Sequence, residues 1–277
     1  MKLPVLLIVV FFAFSCKEKE WDEEMTYRQD NKTSRPILMD VNYKEQKLTV
    51  WKNENGDYLL DEDIKLYKNE VQELGPHTGL EKSKIIDWDQ TSQVNITLWP
   101  STSIKFKVDP SFSGSEKQPI YQALNHWKTK TNINFTEVGS NEKIYFRKVS
   151  SGCQASLGYP GNNGINTVDI SPTCDVQSVT HEIGHVMGMI HEHQRINRNT
   201  YISLKPETFD FLRNNYASIY TLLIANLQKE QSNLEDPFPF DMGSVMMYGS
   251  YPRNNIPLQN DLISRNLPLF KKKMGAW

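Results

Sequence analysis

A chain of 277 residues with 14 glycines, 14 prolines, 38% hydrophobic and 23% charged residues has globular composition. That excludes disorder, collagen-like repeats and low-complexity scaffolding as its main character. A net charge of −2 supplies no cationic field for gathering phosphates and argues against nucleic acid as a partner.

The apolar run Leu3 to Phe14 is too short to span a bilayer and lies at the extreme N-terminus. With Met1-Lys2 before it and the small residues Ala13 and Ser15 ahead of Cys16, residues 1–16 read as a secretory signal. Cys16 directly after the cleavage point resembles the lipobox cysteine of bacterial lipoproteins, although Ala-Phe-Ser-Cys lacks the usual leucine; plain cleavage nearby is the alternative. The charged stretch from Lys17 to Glu24 reads as a solvated tether and resembles the surface-export signal of some Gram-negative lipoproteins. The expected location is therefore the outer membrane or cell surface, or the extracellular space after release. Membrane contact is expected only through that lipid.

The segment to about residue 87 stays charged. Lys47 to Trp51 and Tyr58 to Ile64, separated by Asn55-Gly56-Asp57, suggest one small hairpin. Beyond it, alternation at Ile104, Phe106 and Val108, at Ile133 and Phe135, and at Ile144 and Phe146 predicts half-buried strands. Between the first two, Ile120, Ala123, Leu124 and Trp127 recur at helical spacing. Pro119 is placed in the first turn, and Ser115 or a nearby polar residue at the cap. The class is α+β. With Cys16 acylated, Cys153 and Cys174 remain as an even pair; in an oxidising compartment they read as a disulfide, two free thiols being the alternative.

His181-Glu182-Ile183-Gly184-His185 places two imidazoles four residues apart, on one face of a helix, where both reach one metal ion. Val176, Val179, Ile183, Val186 and Ile190 supply its apolar positions and Asp175 its N-cap. A helix continued to His191 would turn that residue roughly 80° off the face of His181, so the helix must break. Gly188, tolerant of left-handed backbone, can break it and swing His191 back. Three neutral imidazoles with an open position describe a catalytic zinc site rather than a closed structural one.

His181 to Arg198, with Glu192 directly after the third histidine, resembles the astacin branch of the metzincin zinc peptidases. Ser244 to Gly249 resembles that family's Met-turn, with Met247 where the family usually has histidine. The resemblance also takes in Leu98-Trp99-Pro100, the spacing of Cys153 and Cys174, and Phe240-Asp241. It implies a twisted mixed sheet, a zinc-binding helix and a Met-turn in a catalytic domain over residues 88–277, behind a prosegment within residues 17–87. It implies one Zn2+ per chain, held by His181, His185 and His191 with Tyr248 as a fifth ligand in the ground state. Glu182 would be the general base, Met246 the floor beneath the metal, and Gly188 and Glu192 structural. The substrates implied are proteins or peptides, and the enzyme is expected to be monomeric. His77, His126 and His193 are read as ordinary packing or surface histidines.

Members of that family are made as zymogens in which a prosegment aspartate takes the place of the zinc-bound water. Tyr58 to Ile64 resembles a weak version of that stretch. Asp63 fits the inhibitory position best, Asp61 is the runner-up, and Glu62 stands where glycine is usual. Pro252 to Trp277 lacks the family's closing signature, Asn132 stands where a second disulfide would begin, and Asn197 and Asn199 replace common aspartates. The atypical segment 252–277 is therefore expected to cost part of the lower subdomain. The rival function is a non-catalytic surface lipoprotein retaining a structural metal site.

Overall fold

The computed structural model describes residues 37–61, 63–77, 91–216, 220, 223, 224, 227, 229–232, 239–252 and 256–273. Cys16, the tether, Glu62 and the expected boundary near residue 87 lie outside the described residues. Among the described residues five strands come first: β1 (Ile37–Tyr43), β2 (Gln46–Lys52), β3 (Tyr58–Leu59), β4 (Ile64–Lys65) and β5 (Val71–Pro76). They replace the single hairpin expected there. β1 and β2 pair antiparallel with Tyr43 opposite Gln46, and the two residues between them, Lys44 and Glu45, both have positive φ. That is the geometry of a two-residue hairpin turn whose twist matches the strands. Lys-Glu carries none of the usual Asn-Gly signal, so the turn had no mark in the sequence. Met39, Val41, Tyr43, Leu48 and Val50 face inward together.

Tyr58 to Ile64 is not one strand. β3 and β4 are two short antiparallel strands with Leu59 opposite Lys65, and Leu60, Asp61 and Asp63 lie in the turn between them, closed by Leu60 N–H to the carbonyl of Ile64. Asp61 Oδ1 accepts from the backbone N–H groups of Asp63 and Ile64, each at 3.3 Å. A tight turn thus puts both aspartates at one tip.

Next come β6 (Thr91–Val94), β7 (Ser103–Val108), α1 (Gly114–Lys130), β8 (Asn134–Glu137), β9 (Ile144–Lys148), β10 (Cys153–Ser156), β11 (Asn166–Ile170) and α2 (Val176–Val186). Among the described residues one mixed sheet runs β5-β1-β2-β3-β4-β10-β11-β9-β7-β8. The N-terminal strands are continuous with the later ones through β4, which lies parallel to β10 with Ile64 beside Ala155 and Lys65 beside Ser156. α1 buries Ile120, Ala123, Leu124 and Trp127, as their spacing predicts. Its cap is Ser113, in a reciprocal capping box with Glu116, two positions before Ser115. Pro119 is consequently inside the helix rather than in its first turn. Cys153 and Cys174 are bridged, with Cα atoms 6.0 Å apart; the bond joins β10 to the loop that precedes α2.

The remaining elements are β12 (Ile202–Leu204), α3 (Pro206–Asn215), β13 (Lys229–Ser232), α4 (Ile256–Ser264) and β14 (Phe270–Lys272). Segment 252–277 does not leave the lower part of the fold open. Leu258 and Leu262, four apart on α4, and Phe270 on β14 are buried with Ile202, Phe209 and Leu212, and β14 pairs antiparallel with β12. No helix among the described residues is long and apolar enough to cross a membrane.

Candidate metal centre

α2 carries the first two histidines at its buried end. Asp175 caps it by accepting from the Ser178 N–H at 2.8 Å, which satisfies one of the donors every helix start leaves unpaired. The helix stops at Val186, so Ile190 is not one of its apolar positions and packs instead against the N-terminal strands; Gly188 follows the helix end with φ +96°. A Cβ there would meet Ile96 Cγ2 at 2.9 Å, so both conformation and space require glycine. The reversed chain brings His191 beneath α2. Trp99 secures the helix end by donating its indole N–H to the carbonyl of Val186 at 2.6 Å.

The three imidazoles meet through Nε2: His181 lies 3.0 Å from His185 and 3.1 Å from His191. Each Nδ1 is oriented by an acceptor and therefore carries the proton. His181 Nδ1–H donates to the carbonyl of Val245 at 2.7 Å, and His185 Nδ1–H to that of Met189 at 2.8 Å. His191 Nδ1–H donates to Asp61 Oδ2 at 2.7 Å and Gln194 Oε1 at 3.1 Å. The Nε2 atoms are thus left as three lone pairs aimed at one point. Asp63 completes the group, its carboxylate oxygens 3.4, 3.4 and 3.2 Å from the Nε2 atoms of His181, His185 and His191. Four donors about 2.0–2.1 Å from a shared tetrahedral centre would stand about 3.3 Å apart, close to these separations. Asp63 Oδ1 and Glu182 Oε2 are buried without a hydrogen-bond partner, a further sign that a cation belongs among these groups. Three imidazoles and a carboxylate suit Zn2+.

Glu182 is buried, 2% exposed. Burial first, and the charge of Asp63 second, push its carboxyl well above the ordinary range. Asp63 is pushed the other way: although burial alone would raise it, its closeness to the three imidazoles holds its carboxyl well below the ordinary range. Tyr248 donates its hydroxyl to Asp63 Oδ2 at 3.2 Å and stacks on His193, with ring centroids 4.4 Å apart. His193 is fully buried packing beside the centre rather than one of its converging nitrogens. Met246 is buried under α2. A Cβ on Gly184 would sit 2.3 Å from its sulfur, so any larger residue at this position of the histidine motif would have to displace the Met246 thioether. Glu192 accepts from Arg195 at 2.8 Å and from the Asp241 N–H at 2.7 Å, and its own N–H donates to the Met246 carbonyl, which fastens the third-histidine loop to the Met-turn.

Besides Gln194, three participants take roles that the sequence did not signal. Asp61, the alternative to Asp63, orients His191 from behind instead of facing the centre. The carbonyls of Val245 and Met189 are backbone groups that any residue would supply.

A family model described as Astacin, a peptidase family, matches residues 91–277. The zinc metalloproteinase nas-36 of Haemonchus contortus is 31% identical over 79% of this chain and 35% of its own length. Tolloid-like protein 1 of Mus musculus is 35% identical over 39% of this chain and 11% of its own. The chain thus spans between about a tenth and a third of these relatives. Among solved structures, the hatching enzyme zinc-protease HCE-1 of Oryzias latipes is similar at 23% identity and a TM-score of 0.49, covering 65% of this chain and 82% of that one.

Proposed function

The chain belongs to the astacin family of peptidases, and from that premise we propose that it is a zinc-dependent endopeptidase, made as a latent precursor, that hydrolyses peptide bonds in proteins. One observation carries the reading: three Nε2 lone pairs converge beside a buried carboxylate, Glu182, whose Oε2 has no hydrogen-bond partner. Glu182 makes none of the bonds that hold the histidines, which favours catalysis over a purely structural centre.

His181, His185 and His191 would hold the ion, which supplies polarisation of a carbonyl and a bound water of lowered pKa. Glu182 takes the proton from the attacking water and hands it to the departing amine. Its desolvated position raises its affinity for that proton, as a group that must hold one between two steps requires. Tyr248, once its hydroxyl is released from Asp63, donates to the oxygen that gains charge as water adds, a contribution of about 2.7–4 kcal/mol for one such donor. Latency is supported by the same contacts in reverse, because Asp63 fills the place the water needs and engages Tyr248. β4 meanwhile covers β10, whose Ala155 N–H donates to the Asp63 carbonyl at 2.9 Å. With residues 37–77 removed, β10 becomes an edge open to a substrate strand.

The test is cleavage of an unfolded generic protein by the full chain after clipping within residues 78–90. We expect cleavage that stops with a zinc chelator and returns with zinc. Cleavage indifferent to chelation would rule out the metal-dependent mechanism, and none under any condition would favour the non-catalytic rival.

A further inference from the structure

Lys65 follows Asp63 by two positions, and its side chain is 4% exposed. The ammonium donates to Asp169 Oδ2 at 2.7 Å and to Thr167 Oγ1 at 3.0 Å; the Thr167 hydroxyl lies 3.2 Å from that of Ser156. Arg147 steadies Asp169 from the other side through two bonds of 2.7 and 2.8 Å. The socket is therefore built by β9, β10 and β11, whereas its occupant comes from the N-terminal segment. Loss of that segment takes the cation away and leaves the carboxylate and two hydroxyls in place.

The strand directions say which part of a substrate would reach it. Ala155 N–H donates to the carbonyl of Asp63, and Leu157 N–H to that of Lys65, so β4 leaves the metal centre in the direction in which β10 runs. A substrate paired antiparallel, the stabler mode, would pass Leu157 first and the metal afterwards. Its residue over the socket would then precede the bond being cut.

We propose that Ser156, Thr167 and Asp169 form a specificity pocket of the mature enzyme for a lysine or arginine side chain on the amino-terminal side of the scissile bond, with Lys65 as its occupant in the latent chain. The proposal rests on the peptidase reading above. It also gives the parallel run of β4 a purpose: Lys65 engages the substrate's socket while the backbone lies in the reverse direction to a cleavable one.

The experiment uses the full chain clipped within residues 78–90 and a peptide series in which one lysine is moved through the positions on both sides of the cut, with glutamine and methionine as neutral counterparts. A charge-assisted contact predicts a preference of about 10- to 100-fold in kcat/KM for lysine at one position before the cut, collapsing in Asp169→Asn. Because the readout is a ratio within one enzyme, partial loss of folded protein does not mimic it. As a second measurement, a synthetic peptide of residues 58–70 should bind the clipped enzyme about 10-fold more tightly than its Lys65→Met form. Equal rates at every position before the cut, a ratio that survives Asp169→Asn, or equal binding of the two peptides would overturn the pocket. Absence of all cleavage with unequal binding would instead overturn the peptidase reading and leave Lys65 as a latch alone.

Discussion

Glu182→Gln lowers turnover by the clipped chain by about 10²–10⁴-fold, the range over which a positioned base contributes, while zinc content stays at one ion per chain. The amide keeps the shape of the side chain and cannot take the proton. Glu182 makes no hydrogen bond to any of the three histidines among those the structure shows, so their orientation does not depend on it. The effect should therefore fall on kcat, with the melting temperature kept or raised, because the substitution removes a buried carboxylate that burial disfavours. Steady-state kinetics alongside metal analysis separates the outcomes. Undiminished kcat would eliminate Glu182 as the base, and loss of zinc would show that the residue builds the site instead.

The second large effect is activation. A tethered inhibitory segment acts at an effective concentration of about 1 mM. A detached segment with a Kd of about 10 μM would then leave about one chain in a hundred open, so clipping and release should raise activity about 100-fold. Asp63→Ala in the unclipped chain should recover part of this, because it removes the carboxylate facing the three Nε2 atoms and the acceptor that engages Tyr248. The strand β4 and its Lys65 contact remain. Asp61→Ala should recover less, since Asp61 holds His191 from behind through Nδ1. Should Asp63→Ala stay as inactive as the parent while the clipped enzyme works, latency comes from the strand covering β10 and not from the carboxylate.

The features legible in the sequence were those whose cause is local. Asp175, the apolar spacing of α2 and the glycine before His191 all act within a few turns of one another, and the helix, its end and the meeting of the three histidines follow from them. The Cys153–Cys174 bridge needed only an even count and a compartment. The N-terminal segment is only partly legible in the sequence because its organisation is non-local. β4 pairs with a strand some ninety residues away, Lys65 finds its partner 104 residues on, and neither pairing leaves a periodic trace. At the C-terminus the family's closing signature is missing, but Leu258 and Leu262, spaced by four, mark the buried face of α4.

The central claim is that His181, His185 and His191 hold one catalytic zinc that Asp63 shields. Its most direct measurement is zinc per folded chain in the full-length protein and in its three single His→Ala variants, each compared at equal ellipticity. We predict one zinc per parent chain and a large loss of affinity in every variant, since two imidazoles cannot replace three around the ion. A folded variant that keeps a full complement of zinc would remove that histidine from the site and contradict the account.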